Sequence, residues 1–309
     1  MKIAMVFPGQ GSQKQGMMQG FADSAIVRET FADASAVLHE DLWELVDAGT
    51  PDALNATVNT QPVMLVSAYA MYRAWQVAGG PAAVLMAGHS LGEYTALVAA
   101  GALRFADAVP LVRFRAQAMQ DAVPIGTGGM AVIMGLDADG VQAACAEAAQ
   151  GEVVEAVNFN DQNQIVIAGL KSAVERACVA AKARGAKRAL ALPVSAPFHS
   201  SLLKPAAERL RQRLQGIPIV APSVPVIHNV DVARHAEPAA IREALALQAA
   251  SPVRWVETIQ AMQAAGITHV VEIGPGKVLQ GLVKRIAPDL VALAVNDAES
   301  LTAGLEALA

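Results

Sequence analysis

The sequence predicts an α/β protein: a parallel sheet covered by helices on both faces, interrupted by a small inserted unit of ferredoxin-like order. Three observations lead there. Short apolar runs alternate with helical patterns through the first and last parts of the 309-residue chain. One strand-to-helix passage carries Gly88-His89-Ser90-Leu91-Gly92, the sharp turn seen in α/β-hydrolase-like bodies. Residues 126–194 follow a separate β-α-β-β-α-β order. A hydrophobic share of 54% against 17% charged residues excludes a disordered chain.

The first buried strand covers 3–7 and runs into Pro8-Gly9-Gln10-Gly11-Ser12-Gln13. Helical spacing follows over 27–38 and 62–78, then a strand over 84–87, a helix over 91–100 and another over 105–122. Toward the end, strands over 224–228, 269–273 and 290–294 alternate with helices over 238–249, 253–265 and 278–286. Between these parts, Pro124-Ile125-Gly126-Thr127-Gly128-Gly129 reads as a flexible junction. Beyond it come a strand over 130–134, a helix over 139–150, strands over 153–157 and 164–168, a helix over 172–184 and a strand over 189–192. The expected division is a catalytic body of 1–125 and 195–309 with a subdomain of 126–194 inserted into it. A cleft between the two is a natural ligand site.

Composition narrows the function. A net charge of −5 argues against general nucleic-acid binding. The longest apolar stretch, 82–103, is broken by His89, Ser90 and Glu93, so no membrane span is expected. The amino-terminal apolar run is too short for a signal peptide. Cys145 and Cys178 lie on separate predicted helices without ligand-like spacing, which fits reduced thiols in the cytoplasm. The Gly274-Pro275-Gly276-Lys277 loop lacks the first glycine and the following Ser/Thr of a phosphate loop. No metal-ligand pattern and no bound cofactor is expected, and the short junction and modest charge suggest a monomer.

A serine at a tight strand-to-helix turn has its hydroxyl pushed clear of the backbone, and the helix start aims N–H groups at an oxyanion. Ser90 at such an elbow makes acyl transfer the leading hypothesis, against an ordinary helix cap. A hydroxyl needs a base. Of six histidines, His89 neighbours the serine and should point away, whereas His199 sits where the insert rejoins the body. Taken alone, His199 also reads as a partly exposed residue near a helix start. Arg104, Arg113 and Arg115 surround the helix after the elbow, and spacing does not choose among them.

Four motifs then stand in order: Pro8 to Gln13, Gly88 to Glu93, Phe114-Arg115, and Ala196-Pro197-Phe198-His199-Ser200. Together they resemble the malonyl-CoA:acyl carrier protein transacylases of bacterial fatty acid synthesis, over the whole chain. The resemblance implies that Ser90 forms a malonyl ester and that His199 is its base. It also implies that the N–H groups of Gln10 and Leu91 form the oxyanion hole, and that the Gln248 carbonyl orients His199 in place of an acid. Arg115 is implied as the binder of the malonyl carboxylate. Met119 and Phe198 are expected to keep water out, and Asn160, with Asn158, to hold the pantetheine arm. The implied substrates are malonyl-CoA and the phosphopantetheinylated acyl carrier protein, an acidic and transient partner. Lys182, Arg184, Lys187, Arg188, Lys284 and Arg285 are the expected docking charges. Rival readings are a thioesterase, a non-catalytic subunit, and the same transfer within a malonate-decarboxylating complex.

Overall fold

A computed structural model describes residues 1–194 and 196–309. The expected boundary at Ser195 therefore lies outside the described residues. Nine strands are described: β1 (Ile3–Phe7), β2 (Leu85–Gly88), β3 (Gly128–Met134), β4 (Val154–Asp161), β5 (Gln164–Leu170), β6 (Arg188–Ala191), β7 (Val226–Ile227), β8 (His269–Ile273) and β9 (Val291–Val295).

Five of them form one parallel sheet in the order β7-β2-β1-β8-β9. Its central strand is buried at every position, as a parallel sheet covered on both faces requires. Alternation of side chains divides that strand between two cores. Ile3, Met5 and Phe7 enter a large cluster with Trp75, while Ala4 and Val6 enter a second one with Trp255 and Ile259.

The remaining four strands form an antiparallel sheet, β4-β5-β3-β6. With helices Ala138–Ala149 and Lys171–Ala183 between its strands, the small sheet has the predicted ferredoxin-like order. Ala131, Ile133, Ile165 and Ile167 face its own helices, whereas Met130, Val166 and Ala168 join the large core of the body. β4 is stitched to the body as well: Phe159 N–H donates to Val253 O at 3.0 Å, and Val253 N–H to Val157 O at 2.8 Å.

Several expected bounds shift. β4 runs on to Asp161 through two irregularities in its pairing with β5, and the strand expected over 224–228 shortens to Val226–Ile227. Helices Leu42–Asp47, Pro51–Asn55 and Ala298–Ala307 have no counterpart in the sequence reading. The helix expected from Pro62 starts at Thr57. Proline commonly opens helices, which makes Pro62 look like a start. Here it sits inside, and the preceding turn is held by Thr60 Oγ1, which donates to Leu54 O at 2.7 Å and to Ala56 O at 3.1 Å. Among the described residues, no helix is long and apolar enough to cross a membrane, and no cluster of metal ligands occurs.

Candidate active site

β2 ends at Gly88 and the next helix, Gly92–Ala99, opens almost at once. Between them Ser90 adopts φ +51°, a left-handed conformation that costs an L-residue roughly 1–2 kcal/mol. The flanking glycines are steric necessities. A Cβ on Gly88 lies 1.8 Å from the Gly92 carbonyl carbon, and one on Gly92 lies 2.0 Å from Phe7 O.

Side chains hold the strained residue's backbone. Asn229 Oδ1 accepts the Ser90 N–H at 2.7 Å, and Asn229 Nδ2 donates to Gly88 O at 2.8 Å. Gln248 Nε2 donates to Ser90 O at 2.9 Å. Behind them Glu93, fully buried, accepts from His228 Nδ1 at 2.7 Å, Asn229 N–H at 2.9 Å and Gln248 Nε2 at 2.8 Å. One carboxylate thus ties together the supports of the elbow.

Ser90 Oγ stands 2.7 Å from His199 Nε2, and His199 Nδ1 stands 2.9 Å from Gln248 O. A carbonyl only accepts, so Nδ1 carries the proton and Nε2 is left to receive the serine's. Burial, then the nearby positive charge of Arg115, pushes His199 down to about 3. The ring is neutral at physiological pH, the state a proton acceptor needs.

Arg115 is 1% exposed. Its Nη1 donates to Gln61 Oε1 at 2.8 Å, and its Nη2 to Gln248 Oε1 at 2.8 Å and to Ser90 Oγ at 3.1 Å. Its guanidinium carbon lies 5.4 Å from the centre of the Tyr94 ring. Among the described residues no carboxylate pairs with it. The other two arginines are paired with carboxylates away from Ser90: exposed Arg104 with Asp107 at 2.6 Å, and partly buried Arg113 with Glu40 through contacts of 2.8 and 2.6 Å.

The loop after β1 presses on the elbow. His89 N–H donates to Phe7 O at 3.0 Å, and a Cβ on Gly9 lies 2.5 Å from His89 O. Gln10 is fixed through its side chain, whose Oε1 accepts from Thr57 Oγ1 at 2.9 Å. Neither Gln10 N–H nor Leu91 N–H donates to an acceptor among the described residues. A cavity of about 490 Å³ between helix Ala138–Ala149, β4 and residues 250–252 also reaches His199.

The acyl transferase domain family matches residues 4–301. The malonyl CoA-acyl carrier protein transacylase of Escherichia coli (strain K12) is 54% identical over 306 residues, covering 99% of each chain. An acyl-carrier-protein S-malonyltransferase of Burkholderia pseudomallei 1710b superposes with a TM-score of 0.98 at 61% identity, covering 99% of this chain and 100% of that one. A malonyl-transacylase solved in complex with a type II PKS acyl-carrier protein gives a TM-score of 0.98 at 52% identity, with the same coverage. The chain belongs to the acyl transferase family. Within it, the chain is one of the malonyl CoA-acyl carrier protein transacylases.

In this family member the fold brings Ser90, His199, Arg115 and Gln248 into mutual contact. The Gln10 loop lies against the elbow. Met119 is buried with Sδ 4.0 Å from Gln61 Nε2, and Phe198 is buried beside His199 in the chain. Asn160 Oδ1 lies 2.8 Å from His89 Nε2. The His89 ring turns from the serine to pack 5.4 Å from Trp255, while Asn158 Oδ1 is buried without a partner among the described residues.

Sequence reading missed Gln61, Thr57, Glu93, His228 and Asn229. Glu93 had a usable signal, a lone charge in the otherwise apolar helix start Gly92-Glu93-Tyr94-Thr95-Ala96-Leu97. The others had none.

Proposed function

We propose that the chain transfers the malonyl group of malonyl-CoA to the phosphopantetheine thiol of acyl carrier protein, through an ester on Ser90, in fatty acid biosynthesis. One observation carries the reading: Ser90 Oγ meets both the neutral His199 Nε2 and the buried guanidinium of Arg115, which has no direct ion pair among the described residues. A base alone fits any serine hydrolase. A buried cation beside it fits an acyl group that ends in a carboxylate.

As Ser90 Oγ attacks the thioester carbonyl, its proton passes to His199 Nε2. The carbonyl oxygen becomes an oxyanion facing the N–H groups of Leu91 and Gln10, each donor being worth roughly 3 kcal/mol of barrier. Collapse expels the thiolate of coenzyme A, which takes the proton from His199. The carrier's thiol then gives its proton to the same nitrogen, attacks the ester, and leaves as the malonyl thioester with Ser90 reprotonated. Because Gln248 offers a neutral carbonyl, His199 and Ser90 act as a dyad. The malonyl carboxylate takes two parallel hydrogen bonds from Arg115, and Met119 and Phe198 supply apolar wall against water.

Residues 126–194 act as the inserted subdomain, with 1–125 and 195–309 as the catalytic body. Acidic carrier docks transiently on its basic edge. Arg184 pairs with Glu147 at 2.7 Å and Arg285 with Asp161 at 2.6 Å, so docking falls to Lys182, Lys187, Arg188 and Lys284, which have no ion pair among the described residues. Free Cys145 and Cys178 agree with a reducing cytoplasmic setting, where the protein acts as a monomer.

Rapid mixing with malonyl-CoA tests the reading. A burst of one equivalent of coenzyme A, followed by slow turnover until carrier is added, is expected. Steady release without carrier identifies a thioesterase instead.

A further inference from the structure

The manner in which Arg115 is held points to a device for selecting the acyl group. Its two Nη atoms are each anchored by a different glutamine carbonyl, Gln61 Oε1 and Gln248 Oε1, both at 2.8 Å. All three side chains are almost wholly buried: Gln61 is 2% exposed, Gln248 0% and Arg115 1%. Arg115 Nε has no partner among the described residues. An arginine in a protein interior normally finds a carboxylate, since an unpaired buried charge is costly. Here the two neutral acceptors orient the guanidinium without a direct ion pair, and the carboxylate of Glu93 acts on it only from the far side of Gln248. Burial accordingly holds Arg115 below the usual guanidinium value.

Gln61 also reaches the opposite wall of the site. Thr57 and Gln61 stand one helical turn apart on the same face of helix Thr57–Val77. Gln61 Nε2 donates to Thr57 Oγ1 at 3.3 Å, and Thr57 Oγ1 donates to Gln10 Oε1 at 2.9 Å. A chain of side-chain bonds therefore runs from Arg115 to the loop bearing the Gln10 N–H.

We infer that Gln61 is a positioning residue that sets acyl selectivity: as a neutral acceptor it aims Arg115 while keeping its positive charge available to the carboxylate of the acyl donor. The inference rests on the reading that Arg115 binds that carboxylate. A glutamate at this position has the same shape but brings the counter-charge itself, so an acyl group ending in a carboxylate gains little over one ending in a methyl. The substitution also disturbs the Thr57–Gln10 link, because a carboxylate cannot donate to Thr57 Oγ1. That disturbance acts on both donors alike and cancels in their ratio.

The test compares kcat/KM for malonyl-CoA and acetyl-CoA in wild type, Gln61→Glu, Gln61→Met and Arg115→Ala, reading coenzyme A release. Gln61→Glu is expected to lower the malonyl-to-acetyl ratio by roughly tenfold or more, mostly through KM for malonyl-CoA, and Gln61→Met to lower it less. A Gln61→Glu ratio within about twofold of wild type overturns the inference, as does an equal fall in both Gln61 variants, since geometry alone then matters. If Gln61→Glu does not fold, Gln61→Met decides: a ratio roughly threefold lower supports positioning, and an unchanged one overturns it. Arg115→Ala separates the two levels. A preserved malonyl preference there removes the underlying reading, whereas a lost preference there with an intact one in Gln61→Glu removes only the role of Gln61.

Discussion

Ser90 and His199, whose Oγ and Nε2 meet at 2.7 Å, both have backbones in the left-handed region, with φ of +51° and +66°. Residues other than glycine rarely adopt it, at a cost of roughly 1–3 kcal/mol each. For Ser90 the bonds from Asn229 and Gln248 offset the strain. For His199 a tight turn does so, with Ser200 Oγ donating to Pro197 O at 2.7 Å. The next residue, Ser201, donates from N–H and Oγ to Glu155 of β4, both at 2.7 Å. The reacting pair is thus aimed by its surroundings before any substrate arrives.

Glu93→Gln tests how far those surroundings depend on one carboxylate. An amide has a single accepting oxygen, so it cannot take bonds from His228, Asn229 and Gln248 together. Stability to urea should fall by roughly 1–3 kcal/mol. Labelling of Ser90 by a serine-directed phosphonate should slow under conditions where the variant remains folded. Wild-type labelling would show that the elbow stands without this support.

Acidification should reveal His199. Its folded value of about 3 lies well below the ordinary 6.5, so the unfolded chain takes up a proton over an interval in which the native ring does not. The unfolded state then binds more protons, and this contribution to stability declines as pH falls from about 6.5 toward 3. His199→Asn lacks it. The urea midpoint of wild type is expected to drop more than that of His199→Asn between pH 7 and pH 4.5. His89, also lowered by burial, remains in both proteins, and its effect is common to them. Parallel declines would mean that the native ring has an ordinary affinity for protons.

How legible all this was depended on distance along the chain. The strand-turn-helix at Ser90 is written in adjacent residues, and the period-two split of β1 between two cores follows from its apolar run. His199 stood out by motif. Gln61 did not, for two reasons. Pro62 placed the helix start one residue too late to include it, and its partner Arg115 lies 54 positions away. The bonds of Glu93 to His228 and Gln248 span 135 and 155 positions. Such contacts exist only once the sheet has assembled.

Carrier docking is open to a charge reversal. Arg188 is exposed on β6, the outer strand of the small sheet. Arg188→Glu should raise KM for the acidic carrier several-fold and leave loading from malonyl-CoA as in wild type, because exposed charges at an interface act chiefly on encounter. Measuring each half-reaction separately distinguishes this from damage to the site, which slows both.

The central claim is that Ser90 carries the acyl group between two thiols. Mass spectrometry of the protein after brief exposure to malonyl-CoA tests it most directly. The account predicts one added malonyl group on the peptide containing Ser90, absent in Ser90→Ala and removed on addition of phosphopantetheinylated carrier. Transfer to the carrier with no adduct on Ser90, or with undiminished rate in Ser90→Ala, would contradict it.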